Sequence, residues 1–238
     1  MLRAFVGAGV AAVVATCVGL ARAEGPAEAL AGGHLIVSAD RVASVLTYTS
    51  ATVTPNGSTT SSTGKSFSIG FATNGRGGSI YTTPRLALDA VISRFTIGGS
   101  VWVATDVSAT QETNNPLGGP TISQDRPKTT YWGVAPRAGY LLPAGDMVAF
   151  WPRLGIEYHQ ASVSSVTNNG VTTPGGTVNE VAADLEANLV VTPWTHFGLL
   201  FNGYAAIPIG GSLQPDGVPS TGISELVVGL SVGLLGYF

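Results

Sequence analysis

Histidine occurs three times in this chain, at His34, His159 and His196, and only one of these stands where a hydrolytic group could be assembled. Glu157 and His159 are two residues apart, which on a strand puts both side chains on one face, and Ser162 and Ser164 follow closely. A base beside an orienting carboxylate is what a serine nucleophile requires. Strand alternation, however, turns Ser162 to the opposite face from His159, so the pattern fails as a triad and no catalytic residue is assigned. Metal-ligand spacing, a P-loop and a dinucleotide fingerprint are all missing, and GRGG at 75–78 reads as a flexible loop, so neither metal nor cofactor is expected. The single cysteine, Cys17, lies in an apolar amino-terminal run, which leaves the mature chain without thiol chemistry.

The remaining charged residues suggest pairing rather than turnover. Arg85, Arg137 and Arg153 each follow a proline, at Pro84, Pro136 and Pro152, and they share strand parity with Asp89, Glu157, Asp184, Glu186 and Glu225. Both signs thus point to the same side of a sheet, where charges survive burial only when paired and hydrogen-bonded. Proline inside a paired strand is awkward, so these three positions are expected near strand ends or bulges.

The elements that would carry these residues are strands. From about residue 80 onward apolar residues recur with period two, in segments of roughly 9 to 15 residues separated by Gly, Pro, Asn, Ser and Thr clusters. Leu86, Leu88, Ala90 and Ile92 alternate with Arg85, Ala87, Asp89 and Val91, and a two-residue Ser93-Arg94 turn leads into a strand that sets Phe95, Ile97, Val101 and Val103 against Thr96, Ser100 and Trp102. Further alternating segments cover 129–141, 147–163, 179–191, the stretch after Pro193-Trp194, and 223–238. HLIVSADRVASVLTYTS, within 34–53, is strand-like but alternates less cleanly; counted as one strand it makes eight. SFSIGFA at 66–72 is a further short candidate. Connections alternate between short ones at 93–94, 142–147 and 192–195 and long polar ones at 54–79, 107–128, 164–178 and 208–221, the asymmetry of a barrel with periplasmic turns and external loops.

Face composition decides between a barrel and a soluble sandwich. One face carries almost only Leu, Val, Ile, Ala and aromatics, while the other holds Gly, Ser and nearly all strand charges; a sandwich would put a Lys- and Glu-rich face outside. Charged residues make up only 11% of the 238-residue chain, against about a quarter in soluble domains, and there are 32 glycines. The fold class expected is therefore all-β: an antiparallel up-and-down transmembrane β-barrel of eight strands, with Tyr81, Trp132, Tyr140, Trp151, Trp194, Tyr204, Tyr237 and Phe238 as candidates for interfacial girdles. The inward set Arg85, Asp89, Arg137, Arg153, Glu157, Asp184 and Glu186 is expected to form a charge network in the lumen.

Residues 1–23 read as a secretory signal, with Arg3 before the apolar run Ala4 to Leu20 and Ala21-Arg22-Ala23 as the cleavage site, so that 24–238 forms the barrel. A formal charge of −3 with thinly spread lysines and arginines argues against nucleic-acid binding.

The carboxyl end, LVVGLSVGLLGYF, resembles the terminal strand of bacterial outer-membrane β-barrel proteins: Phe238 closes it, with Leu234, Val232 and Leu230 alternating behind, and Gly236 departing from the usual apolar choice. YTTPRLALDAVISRFTIGGSVWVAT at 81–105, WGVAPRAGYLLP at 132–143 and FWPRLGIEY at 150–158 look like the strand repeats of small uncharacterised barrels of myxobacterial type. The resemblance implies location in the outer membrane, contact with its lipid, and engagement of the barrel-assembly machinery by Leu230, Val232, Leu234 and Phe238. It implies no defined activity. A non-enzymatic structural or surface-contact role is expected, with an unknown ligand at the external loops left open; a lipid-modifying hydrolase, a narrow pore and an exported soluble sandwich are the alternatives.

Overall fold

The computed structural model describes residues 35–54, 61–72, 81, 83–105, 110–113, 122–168, 171–194 and 196–238, together with Ala27 and Leu30. The segment 1–23, His34, GRGG at 75–78 and the 114–120 loop lie outside these residues. Strands dominate: β1 (Leu35–Thr54), β2 (Ser62–Ala72), β3 (Arg85–Ile92), β4 (Phe95–Thr105), β5 (Thr110–Thr113), β6 (Ile122–Asp125), β7 (Thr129–Tyr140), β8 (Leu142–Pro143), β9 (Val148–Val163), β10 (Val166–Asn168), β11 (Val171–Thr173), β12 (Gly176–Trp194), β13 (Phe197–Pro215) and β14 (Thr221–Tyr237).

Eight of them close a ring. The order β12-β13-β14-β1-β3-β4-β7-β9 is completed by pairing of β9 with β12, and every ladder is antiparallel. At the seam, β14 lies along the whole of β1, from Ile36 opposite Tyr237 to Thr54 opposite Gly222. Closure pairs each of the eight strands with a neighbour on both sides, which matters for a sheet with an apolar outer face.

The weak alternation of 34–53 has a local cause. β1 is one long strand, as expected, but its register slips between Ala39 and Ala43 and again between Ser44 and Leu46, and Arg41 takes a left-handed φ of 55°. An extra residue in one strand of a pair turns adjacent side chains to the same face. Asp40 and Arg41 consequently both point inward and are fully buried.

The second stave of the wall is built from two strands, and here the long external loop expected at 54–79 is corrected. β2 pairs with the upper part of β1, from Val53 opposite Ser62 down to Ser44 opposite Ala72, and β3 resumes on the same edge, from Asp40 opposite Arg85 to Leu35 opposite Ala90. Ser62 to Ala72 is thus strand, a longer element than the 66–72 candidate. The other polar connections are also largely paired. β5 and β6 form a hairpin within 107–128, β10 and β11 another within 164–178, and β13 runs to Pro215, leaving only a short link before β14. Threonine accounts for part of this: cross-strand hydroxyl pairs join Thr52 to Thr63 at 3.0 Å, Thr105 to Thr130 at 2.9 Å and Thr167 to Thr172 at 2.8 Å.

The short turns lie where the sequence places them. Ser93 and Arg94 both have positive φ, 46° and 74°, the geometry that matches a two-residue hairpin to strand twist. Of the three prolines, Pro84 directly precedes β3, whereas Pro136 lies well inside β7, against the expectation of a strand end. The β7 to β9 ladder skips from Val134 to Arg137 there, which accommodates the missing N–H. Pro152 sits just past the last β7 partner of β9, where the ladder ends at Gly139 opposite Arg153.

Candidate functional site

The lumen has three layers, set by strand parity. The middle layer is charged. Arg137 donates to both carboxylate oxygens of Asp89, at 3.1 and 2.6 Å, and to Asp40 at 2.5 Å. Arg153 reaches Glu186 at 2.6 Å and Asp40 at 3.2 Å. Arg41 lies 3.0 Å from Asp184 and 3.1 Å from Glu186, while Arg85 meets Glu157 at 2.9 Å and Asp184 at 3.5 Å. All nine residues are buried. The structure thus brings together the seven charged residues singled out by parity and adds two, Asp40 and Arg41.

Above and below this layer the lumen is closed by apolar groups. Toward the short-turn end, Ile36, Leu141, Trp151, Leu200 and Tyr237 pack with Ala27 and Leu30, which precede the first strand and show no exposure. Ala27 is tied to the β8–β9 turn through its N–H to the carbonyl of Asp146, at 3.1 Å. Toward the other end, Tyr81, Trp102, Tyr204 and Val227 form a second cluster. The arginines stack on these aromatic lids: Arg85 over Trp102 at 3.9 Å, Arg41 over Tyr204 at 4.0 Å and Arg153 over Trp151 at 4.4 Å. Planar guanidinium groups can satisfy carboxylates at their edge while covering an aromatic face, which suits them to this boundary.

His159 sits just beneath the upper lid. Its Nδ1 is 3.5 Å from Glu157 and its Nε2 3.5 Å from Glu180, and Tyr81 packs edge-on against the ring at 5.1 Å between centroids. Glu180 in turn accepts the backbone N–H of Glu225 at 2.8 Å, at a place where β14 has no ladder partner on β13 between Ala206 and Ser212. Ser162 lies on the other face of β9 from the buried His159, and the Ser164 hydroxyl accepts the Lys128 N–H at 2.9 Å on the exposed side. The structure does not join either serine to the histidine. His196 has a different position, in the turn before β13, where its Nδ1 donates to the Tyr237 carbonyl at 2.9 Å.

Outside, the pattern inverts. Leu86, Ile97 and Val103 are 68%, 63% and 72% exposed, and Leu88, Val101, Leu154, Ile156, Phe201 and Leu230 continue the apolar surface around the barrel. Aromatic pairs bound this belt: Trp132 with Tyr158 at 5.4 Å between ring centroids on one side, and Phe95 with Tyr140 at 4.8 Å and Trp194 with Phe197 at 5.8 Å on the other. On β7 the belt runs from Trp132 to Tyr140, about the 9–11 residues a tilted strand needs to cross a bilayer. Four of the eight aromatics expected in the girdles belong elsewhere: Trp151, Tyr204 and Tyr237 are buried in the lumen because their strand parity is that of the inward residues, and Tyr81, which precedes β3, is buried there too.

A closed, antiparallel, up-and-down ring of eight strands with a paired charge network inside and an apolar belt outside is the architecture of a transmembrane β-barrel. No protein-family model matches the chain, and no curated protein matches it. Among solved structures it is similar to Neisserial surface protein A, at 12% identity over 86% of this chain and 97% of that one with a TM-score of 0.41. It is similar also to the outer membrane protein OprG from Pseudomonas aeruginosa, at 11% identity over 85% and 95% with a TM-score of 0.46. A third likeness is to the outer membrane protease OmpT from Escherichia coli, at 8% identity over 87% and 97% with a TM-score of 0.42. A protease stands among them, so the resemblance assigns no activity.

Proposed function

We propose that this chain is an exported outer-membrane protein with a non-enzymatic, structural or surface-contact role, formed by residues 24–238 after removal of 1–23. The observation that carries the reading is the inversion of polarity: leucines, valines and isoleucines stand exposed in a belt with aromatic borders, while among the described residues four arginines and six carboxylates are buried. In water such a surface would be a severe aggregation liability, whereas in hydrocarbon it is the stable arrangement. The two apolar lids support a lumen that conducts little. The upper ends of β12, β13, β14, β1 and β2 continue past the Trp132 and Tyr158 row, which supports a role in contact outside the cell; any ligand there is unknown. Outer-membrane lipid and the barrel-assembly machinery are the partners this reading requires, the latter engaged through Leu230, Val232 and Leu234 on the outer face of β14 and Phe238 directly after it.

Cell fractionation followed by gels of boiled and unboiled protein tests the reading. Recovery in the outer-membrane fraction with a mobility shift on boiling is expected, and single-channel recordings after reconstitution should show no steady conductance. Recovery in a detergent-free soluble fraction without a shift would refute it.

A further inference from the structure

Between β13 and β14 the ladder lapses high in the wall. Pairing runs up to Ala206 opposite Val227 and resumes only at Ser212 opposite Gly222, so 207–211 and 223–226 have no ladder partners across this seam. On β14 the lapse covers the steps from Gly222 to Val227, which at ~3.3 Å each make roughly 16 Å. The local sequence accounts for it. Pro208 has no N–H to give, and Ile209 is an extra residue, since Val181 and Ala182 of β12 pair with Gly210 and Pro208. On its other side β14 stays in register, with Ile223 to Leu226 opposite Val53 to Ser50 of β1.

A carboxylate from a third strand bridges the lapse. The Glu225 N–H, which in a complete ladder would serve β13, donates instead to Oε1 of Glu180 on β12, at 2.8 Å. Glu180 is the rung partner of Gly211 and shares its face. A Cβ on Gly211 would come 2.9 Å from the Ile223 carbonyl and 3.0 Å from that of Asn179, so the missing side chain leaves the carboxylate its path across β13. The other Glu180 oxygen lies 3.5 Å from His159 Nε2, which positions it from the β9 side. We infer that this seam is a lateral gate in the barrel wall, held shut by Glu180 as its latch. Gly210 shares a rung with Tyr158 through Val181, so the slit opens at the level of the upper aromatic row, which is the bilayer surface if the membrane reading above holds. Its lower pin, Ala206 and Val227, belongs to the apolar lid that contains Trp102 and Tyr204. The slit therefore leads into the lumen above that lid, and its opening makes no path through the charged layer. On the outside, Ile207 and Ile209 stand at its edge, 43% and 65% exposed.

Three substitutions of the latch separate reach from charge. Glu180→Leu removes the acceptor, Glu180→Asp keeps the charge but shortens the side chain, and Glu180→Gln keeps a carbonyl oxygen in place without the charge. The experiment follows amide exchange by nuclear magnetic resonance in the barrel of residues 24–238, held in nanodiscs of dimyristoyl phosphatidylcholine. Glu180→Leu and Glu180→Asp should speed exchange at Glu225 about tenfold, the weight of one hydrogen bond to a charged group, while Glu180→Gln stays near the wild-type rate. The pinned amides of Gly222 and Val227 should keep their rates in all three. Spin labels at Gly210 and Ser224, both on the exposed side of the seam, should move apart by ~5 Å, one strand spacing, in the two opened variants. Unchanged exchange at Glu225, equal speeding at the pins, or faster exchange with an unchanged label distance would overturn the inference. If Glu180→Leu fails to fold, the contrast between Asp and Gln carries the same test. Boiled and unboiled gels keep the two readings apart: a wild type without a heat shift removes the membrane reading and the gate with it, whereas a heat-shifting wild type whose seam ignores the latch removes the gate alone.

Discussion

Arg137 holds the middle of the lumen through three charge-assisted hydrogen bonds, so its removal would strand the buried carboxylates of Asp89 and Asp40. Breaking a buried pair from one side costs about 3–5 kcal/mol, because the partner is left charged and dry. Arg137→Leu is expected to lower the free energy of unfolding by that amount in urea titrations of the lipid-reconstituted barrel; a loss below about 1 kcal/mol would mean that the network is not the keystone of the interior. At this scale the sequence was informative wherever parity was intact. Arg85, Arg153, Asp184 and Glu186 could be assigned to the lumen from alternation alone, because a strand without bulges fixes the face of every side chain. Asp40 and Arg41 are hidden by the bulge that places them, and the signal available is the failure itself: two adjacent charged residues in an otherwise uncharged strand. The lumen aromatics Trp151 and Tyr204 are concealed for a different reason, since aromatic type suggests the interface while strand parity puts them with the inward residues, under Arg153 and Arg41.

Among the elements, the Ser93-Arg94 turn is the clearest site of local strain. Two consecutive residues with side chains occupy the left-handed region, which Asn and Gly tolerate far better. Replacing the pair with Asn-Gly is expected to stabilise the β3–β4 hairpin and the barrel by about 1 kcal/mol in the same urea assay. The closing strand offers a second prediction. Leu35 and Phe238 exchange backbone hydrogen bonds at 3.1 and 3.0 Å, and His196 clasps Tyr237 through its ring and its carbonyl, at 2.9 and 3.2 Å, so the seam is fastened at its very end. Deleting Phe238 should slow appearance of the heat-shifted form in pulse-chase experiments; an unchanged rate would show that neither fastening nor recognition depends on it. Strand existence and order were legible because the apolar period is strong over long segments. The polar extensions were not, since Thr, Ser and Gly clusters are equally compatible with loops, and only pairing with a neighbour distinguishes β2 or the end of β13 from irregular chain.

For the whole molecule, stability and location follow from one fact of solvent. A wall with apolar residues outside and ion pairs inside has its hydrogen bonds satisfied within the ring, which is the condition for crossing hydrocarbon with strands. The direct test uses single cysteines introduced into residues 24–238, which contain no cysteine of their own. Spin labels placed at Ile97 and Leu154 on the outer face, at Ser100 in the lumen and at Val218 in the turn after β13 would be read in reconstituted vesicles for collision with oxygen and with a water-soluble nickel complex. Labels at Ile97 and Leu154 are expected to meet oxygen but not nickel, the label at Ser100 neither, and the label at Val218 nickel. Ready collision of nickel with the labels at Ile97 and Leu154 would contradict this, because the belt would then be facing water.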